Sequence, residues 1–288
     1  MFKKNETFRE SLRLWLHEDV GTGDVTTLST IAEDSRSTGI IHAKEDGIIA
    51  GLPVAEAVFL EVDPELRFTA QVEEGASVRK GTILAEVAGS TRSILTGERL
   101  ALNLLQRMSG IATRTRQFVE ALEGTAVRLV DTRKTTPGHR MLEKYAVKVG
   151  GGHNHRFGLY DAVMIKDNHI IGAGGITQAV RAARSQIPHT MKIEVEVENF
   201  DQLEEALSAQ ADIIMLDNMQ PEEMELAVTK IKTRYPYILV EASGSVQLET
   251  VKRIAETGVD VISVGRLTYS VSALDISLDL NQRKGATS

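Results

Sequence analysis

Two apolar spacings alternate along the second half of the chain. Short β-favouring runs recur as "VRLVDT" (127–132), "AVMIKD" (162–167), "KIEVEVEN" (192–199), "DIIMLDN" (212–218), "YILVEASG" (237–244) and "DVISVGR" (260–266). Between the later runs the spacing turns helical, in "NFDQLEEALSAQ" (199–210), "QPEEMELAVTKIKTRY" (220–235) and "SVQLETVKRIAETG" (245–258). Asn199 or Asp201 can cap the first of these. Pro221 falls early in the second, where a missing N–H costs least, and Gly258 closes the third. Apolar strands alternating with amphipathic helices predict parallel βα units. Six such strands suggest a barrel of the TIM kind, or one with fewer than eight strands; an open doubly wound sheet is the alternative.

Nearly every one of these strands ends in polar residues: Asp131–Lys134, Lys166–His169, Glu196–Asn199, Asp217–Asn218, Glu241–Ser243 and Gly265–Arg266. In a barrel the C-terminal strand ends converge on one mouth, which carries the chemistry. One strand ending in Asp means little; six with polar ends favour the barrel.

The first half has a different pattern. "FRESLRLWLHEDV" (8–20) is spaced as an amphipathic helix and runs into the turn-rich "GTGD" (21–24). Residues 39–90 alternate like strands with glycine turns. "EEGASVRKGTILAEVAG" (73–89) reads as a β-hairpin turning at Gly75 and Gly81. Its likeness to biotinyl or lipoyl carriers is faint, because Lys80 lacks the flanking Met of a modifiable lysine. "SILTGERLALNLLQRMSGIATRTRQFVEAL" (93–122) reads as a long helix with Leu100, Leu104, Leu105, Met108 and Ile111 on its apolar side. The boundary between the halves is expected within or just after it.

Composition narrows the function classes. The 288 residues are 42% hydrophobic and 25% charged, an ordinary globular mixture. Charged residues or glycine interrupt every apolar run well short of a membrane span, and Met1–Glu10 has no apolar signal core. The absence of cysteine excludes disulfides, thiolate metal sites and a cysteine nucleophile, and fits a cytoplasmic protein. The net charge of -7 argues against a general nucleic-acid partner. Yet Arg128–His169 holds eight Lys or Arg against four Asp or Glu, with four of the seven histidines. A solvated basic face would explain this, as would a pocket for a small anion.

In "DTRKTTPGHR" (131–140), Thr132, Arg133 and Lys134 directly follow a strand. Arg offers a planar fork to a carboxylate or phosphate, and Lys a point charge. In "GGGHNHRFGLYDAVMIKDNH" (150–169), three glycines let the backbone approach a ligand closely. His153 and His155 could start a metal site with His169 or Asp167. No established metal spacing appears, however, and Arg156 and Lys166 would repel a cation. Glu194, Glu196 and Glu198 share one strand face. Acids at a barrel mouth suit hydroxyls, Mg²⁺ or cationic charge. "EASGSV" (241–246) and "SVGRL" (263–267) put glycine at strand ends, the first just ahead of the expected helix. Loops after the last strands of such barrels often bind phosphate. The sites together suit a sugar phosphate and a second substrate rich in carboxylates.

The motifs "DTRKTTPG", "EKYAV", "GGGHNHRFGLYDAVMIKDNH", "EVEVEN", "LDN", "EASG" and "ALDISLDL" resemble the quinolinate phosphoribosyltransferase family. The match runs from "HEDVGTGDVTT" (17–27) to Leu280. The resemblance implies an incomplete, six- to seven-stranded α/β barrel over 113–269. It also implies an N-terminal α/β sandwich domain over 1–112, rejoined by 270–288. The implied reaction joins quinolinate to phosphoribosyl pyrophosphate with Mg²⁺, releases CO₂ and pyrophosphate, and gives nicotinate mononucleotide.

Carried onto this sequence, Thr132, Arg133, Lys134, His155, Arg156 and Lys166 would surround quinolinate. Arg99, in "GERLALN", would reach in from the partner of a homodimer. Glu196 and Asp217 would face the ribose. The backbone around Ser243, Gly244, Ser245, Val264, Gly265 and Arg266 would take the 5′-phosphate. Lys134 and Lys166 would also touch the pyrophosphate, so that Lys134, Lys166, Glu196 and Asp217 form the catalytic set. No direct metal ligand is assigned. Three positions depart from the family pattern: Val149 where cysteine is common, His139 where leucine is usual, and Arg266 where a small residue is usual. Nicotinate phosphoribosyltransferase, with one substrate carboxylate and no decarboxylation, is the nearest rival. A non-catalytic anion sensor on the same scaffold is the other.

Overall fold

The computed structural model describes Phe2 and residues 5–281. The described residues form two compact units. One comprises those up to Arg114, Pro137–Gly150 and those from Val271 onward; the other comprises Thr115–Thr136 and Gly151–Ser270. Residues 282–288, the end of the expected C-terminal segment, lie outside the described residues.

The first unit opens with α1 (Glu6–Val20), whose N-terminus is capped by Asn5 Oδ1 accepting from Phe8 N at 3.1 Å. Asp24 caps α2 (Val25–Thr30) in the same way. Next come β1 (Arg36–Ala43), β2 (Gly47–Ile48), α3 (Leu52–Val62), β3 (Arg67–Ala70), β4 (Ser77–Val78) and β5 (Ile83–Ser90). The long helix α4 (Thr91–Ala121) then carries the chain out of this unit. Leu100, Leu104, Leu105, Met108 and Ile111 are buried along it.

The segment 73–89 is not a hairpin. β4 pairs with β2, whereas β5 lies between β1 and β3 in another sheet. The turns at Gly75 (φ 86°) and Gly81 (φ 89°) are present. Gly81 N–H, however, donates to Ala43 O at 2.7 Å, which sends the following strand to β1.

Past α4 come β6 (Arg128–Val130), α5 (Arg140–Val149), β7 (Val163–Ile165), α6 (Asp167–Ala173), α7 (Ile176–Gln186) and β8 (Ile193–Val197). They are followed by α8 (Phe200–Ser208), β9 (Ile213–Asp217), α9 (Pro221–Arg234), β10 (Leu239–Ser243), α10 (Val251–Glu256), β11 (Val261–Ser263), α11 (Arg266–Tyr269) and β12 (Ile276–Asn281). β12 pairs antiparallel with β1 and completes the sheet β12-β1-β5-β3.

All six strands expected in the second half form one parallel sheet, ordered β6-β11-β10-β9-β8-β7. This is an α/β architecture, barrel-like but not closed, with a separate N-terminal sheet. The opening falls between β6 and β7. There the free edge of β6 takes a single parallel bridge, Val130 to His153. Ile193, Val195, Val197, Ile214, Leu216, Val240, Ala242 and Ile262 are completely or almost completely buried, as expected of a parallel sheet covered on both faces.

Helix starts follow local chemistry. Asn199 is the cap of α8, accepting from Gln202 N at 2.9 Å, and Pro221 begins α9. The helix expected over 245–258 is shorter, Val251–Glu256. Gly244 (φ 94°) and Ser245 (φ 49°) hold left-handed backbone, which cannot begin a right-handed helix.

Candidate active site

One cavity of about 660 Å³ opens at the C-terminal ends of the six parallel strands. Thr132, Arg133 and Lys134 reach it from the end of β6, with His155 and Arg156 from the loop before β7 and Lys166 from the residue after it. Glu196 comes from β8, Asp217 from β9, Ser243 with Gly244 and Ser245 from the end of β10, and Arg266 from beyond β11. Arg99, Val264 and Gly265 do not line it. Val264 is buried and donates its N–H to Val130 O at 2.9 Å, while Gly265 packs under Lys134 and Tyr269. Arg99 lies on α4 with a side chain 59% exposed, 3.9 Å from Glu98.

The cavity also takes in Met164, Met215, Asn218, Glu241, Ser263 and Tyr269, which were not singled out from the sequence. Met164, Met215 and Ser263 sit inside apolar runs and carry no separate signal. Glu241 and Asn218 were visible only as polar strand ends.

The glycine-histidine loop is organised from beneath by Asp131, which is completely buried. Its Oδ1 accepts the His155 N–H at 2.8 Å and its Oδ2 the Asn154 side-chain amide at 2.6 Å. His153 N–H donates to Leu129 O and Asp131 N–H to His153 O. Asn154 thus fixes the loop through its side chain and His153 through its backbone. Arg156 Nη1 donates to Ala162 O at 2.9 Å. Burial and the facing charge of Arg133 hold the Arg156 guanidinium below its ordinary range. Two cations brought this close invite an anion between them.

Beside this loop His155 Nε2 stands 3.4 Å from both Glu194 Oε2 and Glu241 Oε2. Among the described residues these three form the one group of His, Asp or Glu close enough to share a cation, within 4.8 Å of one another. The metal grouping considered from sequence, with His153, His169 or Asp167, is not assembled. Burial works against a charged His155, but the two carboxylates outweigh it and push its pKa up to about 10. Burial also holds the Glu194 carboxyl above the usual range. The Arg156 N–H lies 2.7 Å from Nδ1. Nδ1 thus faces a donor, which places a ring proton on Nε2, between the two carboxylates. Such groups titrate as a unit.

On the other wall Lys166 Nζ pairs with Glu196 Oε2. Thr268 Oγ1 donates to Lys134 O at 2.8 Å and fixes the backbone after β6. Arg133 Nε, Glu241 Oε1 and Ser263 Oγ are buried without a hydrogen-bond partner, on residues that line the cavity. Buried polar atoms left unpaired are costly, and they mark where a ligand would be received.

Comparison with known proteins also finds two parts, divided along the chain near residue 110. The model of the quinolinate phosphoribosyl transferase C-terminal domain matches residues 111–279, and that of the N-terminal domain residues 24–109. A probable nicotinate-nucleotide pyrophosphorylase [carboxylating] of Synechocystis sp. is 48% identical over 269 residues, covering 93% of this chain and 91% of its own length. The chloroplastic nicotinate-nucleotide pyrophosphorylase [carboxylating] of Arabidopsis thaliana is 43% identical, covering 94% and 82%. The crystal structure of NadC from Streptococcus pyogenes superposes with a TM-score of 0.91 at 43% identity, covering 96% and 97%. Human nicotinic acid phosphoribosyltransferase, at 14% identity and a TM-score of 0.62, shares the fold alone.

Proposed function

The chain belongs to the quinolinate phosphoribosyltransferase family, and on that premise we propose how its cavity of about 660 Å³ does the family's chemistry. The activity is a pentosyl transfer: quinolinate and phosphoribosyl pyrophosphate give nicotinate mononucleotide, CO₂ and pyrophosphate, a step of de novo NAD synthesis. The observation that carries this reading is one cavity with Arg133, Lys134, Arg156 and Lys166 beside Glu196, Asp217 and the loop at Gly244.

Quinolinate has two adjacent carboxylates. Arg133 and Arg156 receive them, with His155 alongside and Thr132 and Lys134 at the rim. Each close ion pair contributes about 4 kcal/mol at an effective dielectric near 20, before desolvation costs. The ring nitrogen attacks the anomeric carbon as its bond to pyrophosphate breaks. Glu196 and Asp217 hold the ribose hydroxyls and face the positive charge that develops on the sugar. Lys134 and Lys166 stand where the pyrophosphate leaves. The ribosylated nitrogen is cationic. When the neighbouring carbon loses CO₂, the electron pair left behind is stabilised by that charge, and a proton then replaces the carboxylate. No covalent protein nucleophile is required.

Ser243, Gly244 and Ser245 receive the 5′-phosphate, with Gly265 and Arg266 on the adjoining turn. Mg²⁺ brought by phosphoribosyl pyrophosphate would offset the charge of the leaving group. The Glu194–His155–Glu241 group suits it poorly, since it holds a proton and sits against Arg156, whereas Asp217 offers a hard oxygen at the mouth. Arg99 does not line its own chain's cavity, and its exposure on α4 suits an arginine supplied to the cavity of a second copy. Among the described residues no helix is long and apolar enough to cross a membrane. A cytoplasmic enzyme fits this and the cysteine-free composition.

The test is to supply Mg²⁺ and phosphoribosyl pyrophosphate with either quinolinate or nicotinate and follow CO₂ and nucleotide. Release of one CO₂ per nucleotide from quinolinate is expected. Turnover of nicotinate alone would overturn the reading, and tight binding of both substrates without turnover would make the protein an anion sensor. For the shared site, Arg99→Ala mixed with Lys166→Ala should recover part of the activity that each lacks alone. No recovery would place Arg99 outside the site.

A further inference from the structure

Asn218 lines the cavity, yet the reaction as described gives it no contact with either substrate. It follows β9 directly and holds left-handed backbone, with φ 55°. Asn adopts this conformation more readily than most residues with a side chain, but it remains uncommon. Three contacts hold Asn218 there. Its N–H donates to Ser243 O at 3.0 Å, joining the end of β9 to the end of β10. Its side-chain amide donates to Asp217 Oδ2 at 2.6 Å. Its Oδ1 and Cγ occupy the space that a Cβ on Gly244 would need, and its backbone nitrogen would be 2.8 Å from that Cβ. Gly244 and Ser245 hold left-handed backbone as well. Two residues with side chains, Asn218 and Ser245, therefore hold uncommon backbone on two adjacent loops, and Asn218 packs against Gly244 between them at one wall of the cavity. Backbone held this way persists only where its surroundings enforce it, and such sites cluster where ligands bind.

We propose that Asn218 is a positioning residue that sets Asp217 at a fixed separation from the loop at Gly244. With one hand it orients the carboxylate that faces the ribose hydroxyls. With its own backbone and side-chain bulk it supports the loop that takes the 5′-phosphate. The sugar's two ends are then read together, as a ribose 5-phosphate, instead of by two independently mobile groups. This inference rests on the proposed assignment of Asp217 to the ribose and of the Gly244 loop to phosphate. It adds the residue that couples them.

Two substitutions separate this role from a merely structural one. Asn218→Gly tolerates the backbone conformation but removes the side chain. Asn218→Asp keeps nearly the same shape but replaces the donating amide by a second acceptor beside Asp217. Each should raise the KM for phosphoribosyl pyrophosphate about ten-fold, the size expected from one lost hydrogen bond at an orienting group. The KM for quinolinate should change less than about two-fold, and the melting temperature of Asn218→Asp should stay close to that of the parent. A cycle with Asp217→Asn supplies the second measurement. If Asn218 acts through Asp217, Asn218→Gly costs little more once Asp217 is already Asn.

The parent protein is assayed first. Absence of quinolinate turnover there would remove the functional premise itself. With turnover established, a wild-type KM for phosphoribosyl pyrophosphate in both variants would overturn the inference. So would equal losses for both substrates, or fully additive effects with Asp217→Asn.

Discussion

The two units use similar elements to different ends. The N-terminal sheet is antiparallel, so successive strands finish at opposite edges and their polar ends are dispersed. The parallel sheet sends every strand the same way, so residues from all six strand ends meet in one cavity. The contrast extends to charge. The cavity of about 310 Å³ in the first unit is lined by Leu52, Pro53, Glu56, Phe68, Ala70, Val72 and Glu74, with no cation. Its Glu74 carboxylate is already committed to the backbone N–H groups of Gly51 and Leu52, at the start of α3. Strand direction, more than the inventory of residues, decides which unit can gather a dianion.

If this contrast is right, the sharpest separation comes from the cations. Arg133→Ala and Arg156→Ala should each lower kcat/KM for quinolinate by an amount equivalent to about 2–4 kcal/mol, through loss of a charge-assisted contact. Binding of phosphoribosyl pyrophosphate should change less. Steady-state kinetics with each substrate varied in turn checks this, and equal losses for both would mean the cavity's two sides are misassigned.

The opposite signature is expected in the first unit. Glu143 is 1% exposed and its Oε1 accepts from Arg107 Nε at 2.9 Å. Arg107 is itself part-exposed, at 32%, so Glu143→Ala should cost about 2–3 kcal/mol of stability, below the range for a fully buried pair. Urea unfolding measures it. Quinolinate KM in the folded variant should be unchanged; a large rise would blur the division of labour. Gly110→Ala should act similarly but more weakly, by about 1–3 kcal/mol, because its new Cβ would meet Ser272 O and the backbone of Ala273.

Why some of this was legible in the sequence, and some not, follows from the same contrast. The six parallel strands announced themselves because a strand buried on both faces is a nearly continuous apolar run, and its polar end stands out. Antiparallel strands alternate, and alternation does not say which neighbour a strand pairs with. The hairpin expected at 73–89 failed for that reason: β4 and β5 both form as strands, but each pairs in a different sheet. Helical spacing over 245–258 likewise hid the left-handed backbone of Ser245 at its start, next to that of Gly244. In the site, Arg133 and Lys166 were readable because each follows an apolar strand closely, where a charge must sit at the mouth and not in the core. Arg156 was readable because it closes a run of glycines and histidines. The partnership of His155 with Glu194 and Glu241 was not. It joins three separate segments, and nothing local to "GGGHNHRFG" points to strands 39 and 86 residues further on.

Two histidines carry the comparison to its finest scale. His139, in the first unit, stacks on Trp15 with ring centres 4.8 Å apart, and burial holds its pKa below the ordinary value despite Glu143 nearby. His155, in the second, is raised to about 10 by the trio with Glu194 and Glu241, which overcomes its burial. A histidine with a lowered folded pKa favours the native state fully above its unfolded value of about 6.5, and loses that contribution as pH falls through the lowered value. A raised one contributes fully below about 6.5 and loses the contribution as pH rises towards 10. The first unit should therefore weaken on the acid side and the second on the alkaline side. Melting temperatures from pH 5 to pH 10 should show each limb as a change of about 2–4 °C for each kcal/mol lost. His139→Leu, which keeps an apolar face for Trp15, should flatten the acid limb alone. Glu241→Gln leaves His155 one carboxylate instead of two, so the alkaline limb should move to lower pH while the acid limb stays. Movement of both limbs in either variant would show that the two units do not titrate separately. An alkaline limb unmoved by Glu241→Gln would mean that the trio does not hold its proton as a unit.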